Sequence, residues 1–171
     1  MPKEKRKMAH NQGQLVVEDA KIIYKHFAGL ADDFHREGER DFSLRLDNED
    51  VAMKMADDGW NVKEKTLEDG TKYWHVKVKI SYKYQAPKIG IVKRDRIVYL
   101  DQDTIGTLDH AEIIRADVVV DPSVWSVRGE TGVTGYLRSL YVRIQEDPFA
   151  ERYSNGYGAL ENNDADADNP F

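Results

Sequence analysis

The stretch YWHVKVKISYKY, residues 73–84, decides how the rest of the chain is read. Side chains along a strand point alternately to opposite faces. Trp74, Val76, Val78, Ile80, Tyr82 and Tyr84 therefore fall on one face. Tyr73, His75, Lys77, Lys79, Ser81 and Lys83 fall on the other. The first set belongs to a core, with Trp74 and Tyr82 read as part of it. The second makes a basic surface with a ring at its end.

The same period of two recurs on both sides of this strand. Asp69-Gly70 precedes it as a hairpin turn, and Pro87 closes it. Downstream, IGIV and RIVYL form a second hairpin around Lys93, Arg94, Asp95 and Arg96. TIGTLDHAEI has room for a helical turn. IIRADVVVD, SVWSV and GVTGYLRSLYVRIQ read as further strands, with Gly129 and Gly132 bracketing a tight turn. Upstream, DFSLRLD alternates Phe42, Leu44 and Leu46 against Ser43 and Arg45. LVVEDAKIIYKHF, residues 15–27, is one long strand or two, and a loop containing Gly29 and Gly38 follows. The period changes only at Asn48–Asp58. There Asp47 is placed to cap a helix whose face carries Val51, Ala52, Met55 and Ala56, and Gly59 follows as its C′ residue. Many short strands, one short helix and glycine-marked bends predict a mainly β fold, a small antiparallel barrel or sandwich. An OB-like barrel is a natural match, being small, partly open and interrupted by a helix.

The 171 residues suit one domain with tails. A flexible basic arm is expected over 1–13, the folded domain over 14–147, and a disordered acidic tail over 148–171, where Asn, Gly and Asp replace the alternation. The net charge of −6 conceals three blocks. Lys3, Lys5, Arg6 and Lys7 outweigh Glu4. Residues 63–100 carry ten Lys and Arg against Glu64, Glu68, Asp69 and Asp95. Residues 146–171 carry seven acids against Arg152. Segregated charge points to partners more than to fold. Cysteine is absent, which excludes disulfides, thiolate zinc sites and cysteine nucleophiles and suits a reducing cytoplasm. No window is apolar enough to span a membrane, and no apolar run follows the basic start as a secretory signal would require.

No catalytic, metal or cofactor site is expected. The histidines show no HExxH spacing, and the phosphate-loop and GxSxG patterns are missing. Asp101 and Asp103, or Asp32, Asp33 and His35, could hold a hard cation, but such clusters more often make turns and caps. The GETGVTG stretch introduces a strand and reads as a hairpin. Binding is better supplied. A single-stranded nucleic acid needs a basic groove and rings on which bases stack. Lys77, Lys79 and Lys83 line one strand face with Tyr73 and His75, and Lys88, Lys93, Arg94 and Arg96 extend the charge. Tyr24, Phe27, Tyr82, Tyr84, Tyr99, Trp125, Tyr136 and Tyr141 are further rings. The plainer readings are a solvated lysine row and inward-facing core aromatics.

Two stretches resemble known families. The tip DNPF resembles the acidic, Pro-Phe-ending tip of bacterial single-stranded DNA-binding proteins, and several phage proteins of that function also end in acids and a Phe. In those families the tip docks replication and repair proteins. The resemblance assigns that role here to Asp164, Asp166, Asp168, Pro170 and Phe171. The body, through FAGL, GERDFSLRLDNED, DGWNVK, YWHVKVKISYK and DPSVWSVRGETGVTGYLRSLYVRI, resembles small phage and prophage proteins taken to be OB-fold single-stranded DNA-binding proteins. That likeness spans roughly residues 20–146 and puts Arg40, Lys77, Lys79, Lys83, Lys88, Trp125 and Arg138 in matching segments. It implies a sequence-independent coat on single-stranded DNA, in the cytoplasm of a host cell, during replication or recombination. The body departs from that of the bacterial proteins, and the linker before the tip is short. A monomer or dimer is as consistent as their tetramer, and an edge over residues 89–100 could pair two copies. The other readings are a protein-interaction module without nucleic acid, and a small metal-dependent nuclease using Asp101 and Asp103.

Overall fold

The computed structural model describes residues 13–146. Nine strands run in chain order: β1 Leu15–Val17, β2 Lys21–His26, β3 Arg40–Leu46, β4 Lys63–Thr66, β5 Lys72–Ile80, β6 Lys88–Val92, β7 Ile97–Leu100, β8 Ile113–Val127 and β9 Glu130–Ile144. Helix α1, Glu49–Asp57, lies between β3 and β4, and a 3-10 turn at Ile105–Asp109 precedes β8. The strands make one curled sheet in the order β1-β8-β9-β5-β3-β2, with β4 beside β5, and β6 joining β9 to β7. The chain leaves β1 at one edge and starts β2 at the other after a bend at Asp19. There Ala20 N donates to Ala116 O at 2.7 Å, drawing the two edges together. The result is a mainly β, OB-like half-barrel, within the barrel-or-sandwich class that the alternation predicts.

Its centre is β5. Val76, Val78 and Ile80 are buried, and Phe42 and Leu44 of β3 are buried opposite them in register. Ile89, Ile91, Val118, Val120, Leu140 and Val142 close the same core. Most pairings are antiparallel. The exceptions are β9 with β5, at Val78–Gly135 and Lys79–Tyr136, and β9 with β6 at residues 139–142. Strand β9 is long enough to serve both neighbours with successive halves.

Local details differ from the sequence reading in five places. Asn48, not Asp47, caps α1: its side-chain oxygen accepts from Asp50 N at 2.8 Å and Val51 N at 3.2 Å. Asp47 is taken by Lys21 and Arg45, each at 2.8 Å. Ala52 and Met55 face the core, but Val51 and Ala56 are exposed, because a short helix on a sheet buries a narrow stripe. The 73–84 alternation stops at Ile80; Tyr82 stays half-buried, whereas Tyr84 swings fully into solvent. Strand β8 continues through Pro122, which is tolerated because β1 ends its pairing at Val120 and leaves an open edge beyond. The turn between β8 and β9 is Arg128-Gly129, both with positive φ as a two-residue primed turn requires, while Gly132 belongs to β9. The expected basic arm over 1–13 falls almost wholly, and the tail with Asp164, Asp166, Asp168, Pro170 and Phe171 wholly, outside the described residues.

Candidate nucleic-acid interface

Strands β3, β5, β9 and β8 turn one common face outward, and register decides what stands there. Directly opposed residues of neighbouring strands share a face. Asp41, Ser43 and Arg45 pair with Lys79, Lys77 and His75, although Asp41 and Ser43 are covered and buried rather than open to water as the alternation expects. Tyr136 pairs with Lys79 on the far side, and Asp121, Ser123 and Trp125 pair with Tyr136, Thr134 and Gly132. The lysine row of β5 thus runs down the middle of a four-strand arc of polar groups and rings.

Two clefts indent this face. The larger, about 1070 Å³, includes Arg40, Lys83, Tyr84, Tyr136 and Arg138 in its walls. The smaller, about 600 Å³, includes Trp60, Lys63, His75 and Trp125. Lys77 and Lys79 line both, so the two clefts form one groove across the sheet. Lys79 and Lys83 enter no ion pair among the described residues, and Lys77 approaches Asp41 only at 3.9 Å. Arg138 is steadied by Gln85 at 2.7 Å and Asp121 at 3.4 Å. Arg40 Nε donates to Phe27 O at 2.9 Å, and its guanidinium lies 5.7 Å from the centre of the Tyr82 ring.

Trp125 is presented by a glycine. A Cβ on Gly132 would come within 2.4 Å of the indole, so the ring packs directly on bare backbone and keeps 41% of its surface open. Gly135 plays the same part for Trp60, whose ring would sit 2.7 Å from an added Cβ. Burial, together with the Lys63 and Lys65 ammonium groups, pushes the His75 pKa below its ordinary 6.5. His75 is therefore a neutral ring at pH 7, one that offers a stacking face or a hydrogen bond rather than a charge.

The groove gathers Arg40, His75, Lys77, Lys79, Lys83, Trp125 and Arg138 from the residues singled out in the sequence. Five others stand elsewhere. Tyr73 is buried because the Arg45 guanidinium covers its ring at 4.2 Å and Tyr24 OH meets its hydroxyl at 2.9 Å. Lys88, Lys93, Arg94 and Arg96 belong to the β6–β7 hairpin, outside both clefts. There Lys88 sits over Tyr99, Lys93 pairs with Glu146 at 2.7 Å, and Arg96 pairs with Asp95 at 3.3 Å.

The acidic pairs that could have held a cation also have structural duties. Asp101 accepts hydrogen bonds from Asp103 N, Thr104 N and the Thr104 hydroxyl at 2.9–3.0 Å, holding the turn that leads into the 3-10 segment. Asp32 meets His26 and His35, rather than Asp33, in a cluster within metal-ligating reach. The two imidazoles are stacked 3.6 Å apart at 9°, however, and parallel rings do not aim their nitrogens at a common point. Phe34, beside this cluster on the rim of the larger cleft, is a site feature the alternation did not flag. Its only sequence signal is an apolar ring amid charges in a glycine-bounded loop.

Comparison with known proteins finds the same fold and a family. No curated protein matches the chain. Among solved structures, the single-stranded DNA-binding protein from bacteriophage Enc34 shares the fold. Its full-length form is 15% identical, with a TM-score of 0.52 over 85% of this chain and 90% of that one. A C-terminal truncation of it is 13% identical, with a TM-score of 0.53 over 81% and 89%. The same protein in complex with ssDNA is 14% identical, with a TM-score of 0.50 over 81% and 90%. Residues 3–169 match the family described as "Putative phage ssDNA-binding domain". The chain belongs to this family of phage single-stranded DNA-binding domains.

Proposed function

We propose that the groove binds single-stranded DNA without reading its sequence, and that the chain coats exposed strand during phage replication or recombination in the host cytoplasm. The observation that carries this is the shared Lys77–Lys79 floor, which joins the two ring-bearing clefts into one path. Phosphates would follow Arg40, Lys77, Lys79, Lys83 and Arg138, and bases would stack on Trp125 and Tyr136. Nothing in this arrangement distinguishes one base from another, since every base has a π face. The chain acts as a binding protein and not as an enzyme. The domain over 14–147 holds DNA, and the acidic segment 148–171 recruits replication or recombination proteins through Asp164, Asp166, Asp168, Pro170 and Phe171. The charge supports this second role, because an acidic segment carrying an aromatic ring suits a basic, apolar pocket.

Fluorescence anisotropy with labelled poly-dT and a duplex of equal length tests the reading. Five phosphate contacts give a salt slope of about −3.5, so raising salt from about 50 to 200 mM should weaken binding roughly a hundredfold. Tight binding to the single strand, weak binding to the duplex and this slope are expected. No binding at low salt, with or without residues 161–171, would overturn it.

A further inference from the structure

Phe34 and Tyr84 are the most exposed large hydrophobic side chains of the described residues, at 88% and 92%. They come from loops far apart in sequence, between β2 and β3 and between β5 and β6, yet both border the larger cleft. An exposed ring is ordinary when it stands alone. Two on one rim, beside Arg40, Lys79, Lys83 and Arg138, form a pattern.

The Phe34 loop is tied down on both sides of the ring. Asp32 accepts from Phe34 N at 2.8 Å and from His35 Nδ1 at 2.9 Å, and Asp32 N donates to His35 O at 2.9 Å. His35 Nε2 reaches Asp41 on β3 at 3.1 Å. His26 stacks on His35 and bonds Leu30 O at 2.8 Å, and Gly38 N closes the loop on Gly29 O at 2.7 Å. Tyr84 is held less directly. Lys83 N bonds Ser81 Oγ at 3.2 Å, and Gln85 is pinned by Arg138. The fold spends these bonds holding two rings out in water.

We propose that Phe34 and Tyr84 are a second base-stacking subsite, at the end of the groove away from Trp125. The occupant is an unpaired nucleotide: its base offers the flat apolar face these rings need, and its backbone phosphates suit the four cations around them. An apolar protein partner would find the rings but not a use for that charge. The inference rests on the groove being a single-stranded DNA path.

The test compares full-length chain with Phe34→Ala, Tyr84→Ala and the double variant on two probes, poly-dT and an abasic strand of equal length. Base stacking predicts that the double variant loses about tenfold or more on poly-dT and less than about twofold on the abasic strand, with the salt slope unchanged. Phe34→Trp should show indole quenching on poly-dT and not on the abasic strand. Equal loss on both strands, or no loss on either, would overturn the subsite and leave the groove reading standing. Failure of the unaltered chain to bind poly-dT would overturn both.

Discussion

The two clefts share a lysine floor but present their rings by different means. In the smaller, Trp125 rests on Gly132, so its plane is set by the absence of a side chain on a strand. In the larger, Phe34 and Tyr84 stand on loops, and Phe34 is positioned by hydrogen bonds through His35, Asp32 and Asp41. Strand pairing holds Trp125 itself without an ionisable group, and the His75 ring in the same cleft stays neutral at pH 7. Loop anchoring gives a platform whose order depends on an ionisable group. The first should be rigid and indifferent to pH near neutrality, the second adaptable and sensitive to it.

The largest expected effect removes the support common to both. Phe42 is 1% exposed beneath the β3–β5 face, and Phe42→Ala should cost about 3–5 kcal/mol in urea denaturation. Both clefts should fail together; survival of either would show that it does not rest on the shared sheet. Next comes Trp125→Ala, expected to cost about 1–3 kcal/mol of poly-dT affinity with the melting temperature nearly unchanged. Gly132→Val should match it by lifting the indole, and the loss should be the same between about pH 7 and 8, where His75 stays neutral. Lys77→Ala with Lys79→Ala should flatten the salt slope by about 1.4, two contacts' worth, since these cations belong to neither cleft alone. A slope unchanged by this pair would deny that the clefts form one path.

The smallest effect separates the clefts by pH. Partial burial lowers the His35 pKa, but hydrogen bonds and charge from Asp32 and Asp41 outweigh it, and the net displacement is above 6.5. A raised pKa means the charged latch is fully formed below the unfolded value and is lost as pH climbs through the folded one. Stability and the anisotropy of a Phe34→Trp reporter should therefore fall modestly between about pH 6 and 8. His35→Gln should abolish the dependence, and Trp125 emission should not follow it. A pH response at Trp125 instead would erase the distinction between strand-held and loop-held rings.

Alternation made the centre of the fold legible. Trp74, Val76, Val78 and Ile80 are buried where the period of two puts them, and Lys77 and Lys79 are exposed. The helix, the 3-10 turn and the β6–β7 hairpin were similarly readable, because each is decided by neighbours within a few residues. The site was legible only in part. Lys88, Lys93, Arg94 and Arg96 continue the basic run in sequence, but β6 pairs with the far half of β9 and carries them off the groove. Trp125 is distant in sequence from His75, yet the same β9 brings both to one cleft. Tyr73 had the right parity and the wrong fate, since Arg45 and Tyr24 arrive from other strands to cover it.

By itself, then, the sequence determined which side of the central strand's middle meets water, where most of the elements lie, how charge is divided among arm, body and tail, and the resemblance that names the family. Those properties follow from local burial and composition. Only the tertiary structure decided which cations line one groove, which rings face it and which are buried. Register between strands far apart in the chain is set by the whole core closing at once, and no stretch of residues carries that information alone.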